Sequence, residues 1–84
     1  MSELRVRYFA WLRERVGESS ETVETGAETV RGLVDELSAR EERYALAFAD
    51  LSAVRVAVDE ELADLSAPLA GVREVAFFPP MPGG

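Results

Sequence analysis

One stretch of this chain constrains the rest. Val30, Leu33, Val34 and Leu37 recur at i, i+3, i+4 and i+7, behind Thr29 as an N-cap. That is an amphipathic helix with one apolar stripe, and a lone stripe cannot bury itself. On either side of it the hydrophobic period changes from 3.6 to two, so the helix must lie on a sheet. Gly32 inside the helix costs about 1 kcal/mol relative to Ala, a cost that close packing on the sheet would explain.

The strands follow from alternation. Leu4, Val6 and Tyr8 face one way, with Arg5 and Arg7 between them, and Phe9 continues the run. Ala10 to Val16 reads as a short helix closed by Gly17. Thr22 and Val23 suggest an edge strand over about 19–24, followed by a turn at Thr25-Gly26-Ala27. Glu41 to Ala49 reads as a second short helix carrying Tyr44, Leu46 and Phe48 inward. Val54, Val56 and Val58 alternate again, Asp59-Glu60 turns the chain, and Leu62 begins a brief strand. Pro68 to Arg73 is a loop before a last apolar strand, Val75 to Phe78.

Placing the first and last strands side by side in parallel uses the long crossover that such pairing needs. The expectation is an α+β chain with the β-grasp arrangement of ubiquitin. A mixed sheet of four to five strands is covered by one main helix and short helices. Residues 1–78 form the domain and 79–84 a flexible C-terminal tail.

Composition removes whole classes of chemistry. The 84 residues contain neither Cys nor His, and all nine basic side chains are Arg. A thiolate nucleophile, a Cys-based zinc site, an imidazole base and a Schiff-base lysine are therefore excluded. No self-contained active site is expected, nor any metal or cofactor held by this chain. A net charge of -7 disfavours nucleic acid and anionic membrane surfaces and points to a basic protein partner. No apolar run is long enough to span a bilayer and no signal peptide is evident, which reads as cytoplasmic.

The tail is where chemistry fits. Pro79, Pro80 and Pro82 stop the sheet and favour an extended arm reaching about 20 Å, and Gly83-Gly84 ends it. Two residues without side chains can thread a narrow slot. The terminal carboxylate is a poor electrophile at neutral pH. It can attack the α-phosphate of ATP, however, and a partner's persulfide or thiol can then displace AMP.

The opening Val6-Arg7-Tyr8-Phe9-Ala10 with Leu12-Arg13-Glu14, the middle Arg43-Tyr44-Ala45-Leu46-Ala47, and the ending Glu74-Val75-Ala76-Phe77-Phe78-Pro79-Pro80 with Gly83-Gly84 resemble the small subunit of molybdopterin synthase across essentially the whole chain. The resemblance implies a sulfur carrier. An ATP-dependent activating enzyme would adenylate Gly84, and a sulfurtransferase would supply sulfur for a thiocarboxylate. The tail would then enter the large synthase subunit of a heterotetramer, which converts cyclic pyranopterin monophosphate to molybdopterin. ATP, and the zinc of this system, belong to the activating enzyme. Residue by residue, Gly84 would carry the sulfur, Gly83 would allow threading, and Pro79, Pro80 and Met81 would line the docking arm. Phe9, Leu62 and Phe78 would form an apolar docking patch, with Arg13 as a polar contact. On pattern alone, Phe9, Leu62 and Phe78 fit the core equally well, and Trp11 and Tyr44 read as packing residues.

The chain departs from the family at Asp59, where Asn is frequent, at Gly71-Val72-Arg73-Glu74 and at Met81-Pro82. Three other readings stay open from the residues: a carrier feeding thiamine, cysteine or tRNA thiolation, a protein modifier conjugated through Gly84, and a binding module with an inert tail.

Overall fold

A computed structural model describes residues 2–80. The chain runs β1 (Ser2–Tyr8), α1 (Ala10–Val16), β2 (Ser20–Thr25), α2 (Val30–Arg40), α3 (Glu42–Ala47), a 3-10 turn (Leu51–Ala53), β3 (Arg55–Val58), β4 (Glu61–Ala63) and β5 (Glu74–Phe78). The strands form one five-stranded sheet in the order β2-β1-β5-β3-β4. β1 and β5 pair in parallel at its centre, and every other pairing is antiparallel. This is the β-grasp expected from the sequence, with β2 at an edge as read.

Alternation along the strands separates two faces. Leu4, Val6, Tyr8, Val56, Val75 and Phe77 are buried on one, under the helices. α2 adds Val30, Leu33, Val34 and Leu37, and α1 adds Leu12 and Val16. Each such side chain stabilises the fold by roughly 1.5–3 kcal/mol relative to exposure. Phe77 is the hub of the aromatic packing, with its ring 4.9 Å from Phe48 and 6.2 Å from Tyr8, centroid to centroid.

The helix ends are built as the sequence indicates. Thr29 Oγ1 accepts the Gly32 backbone N–H at 3.1 Å. Gly17 takes φ 88°, the left-handed region, and its N–H closes α1 on the Arg13 carbonyl at 2.8 Å.

Three local expectations change. Leu46 does not point inward: it is 59% exposed, whereas Tyr44, Ala47 and Phe48 are buried. In a helix the inward positions recur at i+3 and i+4, so 44 selects 47 and 48 and turns 46 to solvent. Gly32 is explained by its own N-terminal turn and not by the sheet, since a Cβ there would meet the Ala27 Cβ at 3.3 Å and Thr29 Oγ1 at 3.5 Å. β1 ends at Tyr8, and Phe9 becomes the N-cap of α1 while keeping one more bond of the parallel ladder, from its N–H to the Phe77 carbonyl at 3.1 Å.

Candidate functional site: the open face of the sheet

The helices cover one face of the sheet and leave the other open. Strand register decides what the open face presents. Arg7 lies beside Ala76, Ala76 beside Ala57 and Ala57 beside Leu62, a row crossing four strands. One step toward the tail, Phe78 lies beside Arg55, and Phe9 extends β1 on the opposite side of Phe78. Because Ala57 and Ala76 are small and paired, the face sinks between the larger side chains. The result is a groove of about 450 Å³ lined by Phe9, Ala57, Ala76, Phe78, Pro79 and Pro80, with Ala10 at its end.

Four of the residues singled out from the sequence therefore meet here. Phe9, Phe78, Pro79 and Pro80 line the groove, and Leu62 stands on the same face as the lateral neighbour of Ala57. None of the five is a core residue. Phe9 is 39% and Leu62 76% exposed, and Phe78 is half-buried. These apolar side chains thus keep exposed surface around one groove beside the start of the tail. Arg13 is exposed on α1 and does not line the groove. Met81, Gly83 and Gly84 lie outside the described residues.

Charge on this face differs from charge over the whole chain. Arg5, Arg7 and Arg55 all project from it. Arg7 packs on Phe9, with its guanidinium carbon 5.0 Å from the ring centroid, and approaches Glu74 at 3.9 Å. Glu3, Glu24 and Glu74 on this face are grouped by register toward the end away from Phe78, and Asp59 and Glu60 line a cavity there with Arg7, Arg73 and Glu74. Among the described residues, no group of His, Cys, Asp or Glu is arranged to hold a metal ion, and no helix is long and apolar enough to cross a membrane.

Sequence reasoning missed a polar cluster beneath the helices. Glu21 on β2 faces the core side, and its Oε2 accepts the Tyr8 hydroxyl at 2.8 Å and the Tyr44 hydroxyl at 2.6 Å. Arg43 donates to the Tyr44 oxygen at 3.1 Å and to the Val16 carbonyl, the last of α1, at 2.7 Å. Burial and then the Glu21 carboxylate push the Tyr44 hydroxyl up to about 12 and that of Tyr8 higher still. The cluster joins β1, β2, α1 and α3, and thereby fixes α1, whose first residue lies at the groove. Tyr44 is more than a packing residue.

Sheet order, parallel central pair and helix cover define a ubiquitin-like β-grasp domain with an apolar groove where its tail begins. The ThiS family model matches residues 6–84, and the chain belongs to that family. It is 38% identical to the molybdopterin synthase sulfur carrier subunit of Escherichia coli K12 over 96% of this chain and 99% of that one. The protein of the same name from Haemophilus influenzae is 31% identical over the same shares. Among solved structures, SAMP1 from Haloferax volcanii superposes with a TM-score of 0.73 at 25% identity, covering 99% of this chain and 100% of that one. A chain of the protein–protein complex of subunits 1 and 2 of the molybdopterin-converting factor from Helicobacter pylori shares the fold, with a TM-score of 0.63 at 22% identity over 99% and 100%.

Proposed function

We propose that this protein is the sulfur carrier of a molybdopterin synthase, with the Gly84 carboxylate as its reacting group. The observation that carries the reading is full-length similarity to two carrier subunits of that name, together with an apolar groove placed where the tail leaves the sheet.

The chemistry follows from what the chain has and lacks. A Gly84 carboxylate oxygen attacks the α-phosphate of ATP on an activating enzyme, and pyrophosphate leaves. The terminal sulfur of a sulfurtransferase persulfide then adds to the acyl carbon and AMP departs. A thiol cleaves the resulting S–S bond, leaving a thiocarboxylate on Gly84 and a disulfide on the donor side. With no Cys in the chain, no internal thiolate competes for the activated acyl group. Pro79 and Pro80 follow β5 and line the groove, which seats a large synthase subunit that consumes the sulfur. The complex of subunits 1 and 2 in the Helicobacter protein supports a partner of that kind.

The names of the two carrier subunits favour this acceptor over thiamine, cysteine or tRNA thiolation, and conjugation through Gly84 is the second reading, because small archaeal modifier proteins share the fold. Reconstitution tests it. Chain bearing a Gly84 thiocarboxylate, mixed with the large subunit and cyclic pyranopterin monophosphate, is expected to form molybdopterin in proportion to the carrier supplied. No product from verified thiocarboxylate and a folded large subunit would contradict the reading.

A further inference from the structure

We infer that Arg7 and Arg55 frame the groove as a cationic collar, and that the partner surface seated there is an apolar projection flanked by carboxylates. This deepens the carrier reading and rests on it, and it reverses the expectation that net charge alone suggests.

Strand register places both arginines. Arg55 lies directly beside Phe78 on the β3 side, and Arg7 beside Ala76 on the β1 side. The two arginines thus lie on the strands either side of β5, next to Ala76 and Phe78. Both side chains are exposed, Arg7 at 45%. Arg55 forms no ion pair among the described residues. Arg7 has only the loose 3.9 Å approach to Glu74, worth at most about 1 kcal/mol at such exposure.

The remaining charge explains why position matters. The chain carries 16 acidic residues against nine arginines, so an arginine facing solvent has carboxylates to choose from. Arg31, Arg40 and Arg43 on the helical side each have one within 4.0 Å, whereas Arg13 and Arg15 on α1, like Arg5 and Arg55 on the open face, have none among the described residues. On the open face, Glu3, Glu24 and Glu74 gather at the far end, where Asp59, Glu60 and Glu74 line a second cavity with Arg7 and Arg73, and the charged neighbour of Phe78 is Arg55. Screening shortens electrostatic reach to about 8 Å at physiological salt. A docked partner at the groove therefore meets Arg7 and Arg55 well before it senses the net charge of -7. A cationic rim around an apolar centre selects an acidic rim around an apolar ridge, and like charge there repels. Arg55 is beside the last residue before Pro79, so the matching carboxylate belongs where the tail enters the partner.

The test is the sign of a charge change. Affinity for the large molybdopterin synthase subunit of the same organism is measured for the unaltered chain and for Arg55→Gln, Arg7→Gln and Arg31→Gln. All three substitutions change the net charge equally, but Arg31 lies on α2, away from the groove. Arg55→Gln and Arg7→Gln are expected to weaken binding about fivefold at low ionic strength, with the loss fading as salt approaches about 0.5 M. Arg31→Gln is expected to leave binding unchanged or slightly tighter. Thermal midpoints within about 2 °C of the parent show that the fold is kept. Unchanged or tighter binding of folded Arg55→Gln overturns the collar while leaving the carrier reading in place. Failure of the unaltered chain to bind the large subunit overturns both.

Discussion

The Tyr44 hydroxyl donates to Glu21 Oε2 across 2.6 Å, and Tyr8 donates to the same oxygen at 2.8 Å. One carboxylate thus ties a helix to two strands, and the chain contains no other tyrosine. Replacing Tyr44 with Phe removes one donor to Glu21 and the acceptor of Arg43, and is expected to cost about 1–2 kcal/mol. Chemical denaturation of the variant reads this directly; an unchanged midpoint would contradict a structural role for the cluster.

The same pair sets the alkaline limit of the fold. Both tyrosine pKa values are raised in the folded state, Tyr44 to about 12, against about 10 unfolded. The folded protein therefore holds more protons than the unfolded one above pH 10, so stability is full below that value and falls as pH rises through the folded pKa values. Tyrosinate absorbance, reporting only these two residues, is expected to rise above pH 10 together with loss of the folded circular dichroism signal. Tyrosinate forming near pH 10 in a still-folded chain would be the opposite result.

At the β3–β4 turn, Asp59 and Glu60 take φ of 48° and 71°, the left-handed region that favours glycine in two-residue hairpins. Asp59 has a further task, because its Oδ1 accepts the backbone N–H groups of Arg73 and Glu74 at 3.0 and 2.9 Å. Glu60 has no hydrogen bond to lose among the described residues. Glu60→Gly is expected to stabilise by about 1 kcal/mol, raising the thermal midpoint by roughly 4–8 °C. A lower midpoint would show that the turn is not strained.

Leu62 separates docking from folding. It is 76% exposed and lies outside the core. Leu62→Glu is expected to leave stability within about 0.5 kcal/mol of the parent and to weaken association with the large subunit about tenfold or more. Unfolding of this variant, or undiminished binding, would remove Leu62 from the docking surface.

These residues also show what the sequence can and cannot reveal. The β-grasp was legible because one apolar stripe at helical spacing, set among period-two strands, leaves few ways to close a core in 84 residues. The groove was legible only in part. Phe9, Leu62 and Phe78 are conspicuous as large apolar side chains, but Ala57 and Ala76 matter because register pairs them, and register is not written in either strand alone. Arg7 and Arg55 fall on one face for the same reason, whereas net charge averages over both faces. Glu21 reads as one more solvated acid on an edge strand. Its burial depends on Tyr44 arriving from α3, 23 residues later. Leu46 faces solvent because a helix does not keep the strand's period of two.

On the proposed function, Gly84 carries sulfur. The described core runs from Leu4 to Phe77, so removing Gly84 is expected to leave the thermal midpoint unchanged and to abolish sulfur transfer. The most direct measurement is made on the protein isolated from its native host, alkylated with a thiol reagent before intact-mass analysis and fragment mapping. Alkylation is needed because sulfur in place of oxygen adds nearly the mass of an oxidised Met1 or Met81. With no Cys in the chain, the terminal thiocarboxylate is the expected fast-reacting sulfur. A single adduct mapping to Gly84 is the expected result. An unreactive chain whose Gly84 is instead found joined to lysine side chains of other proteins would contradict it.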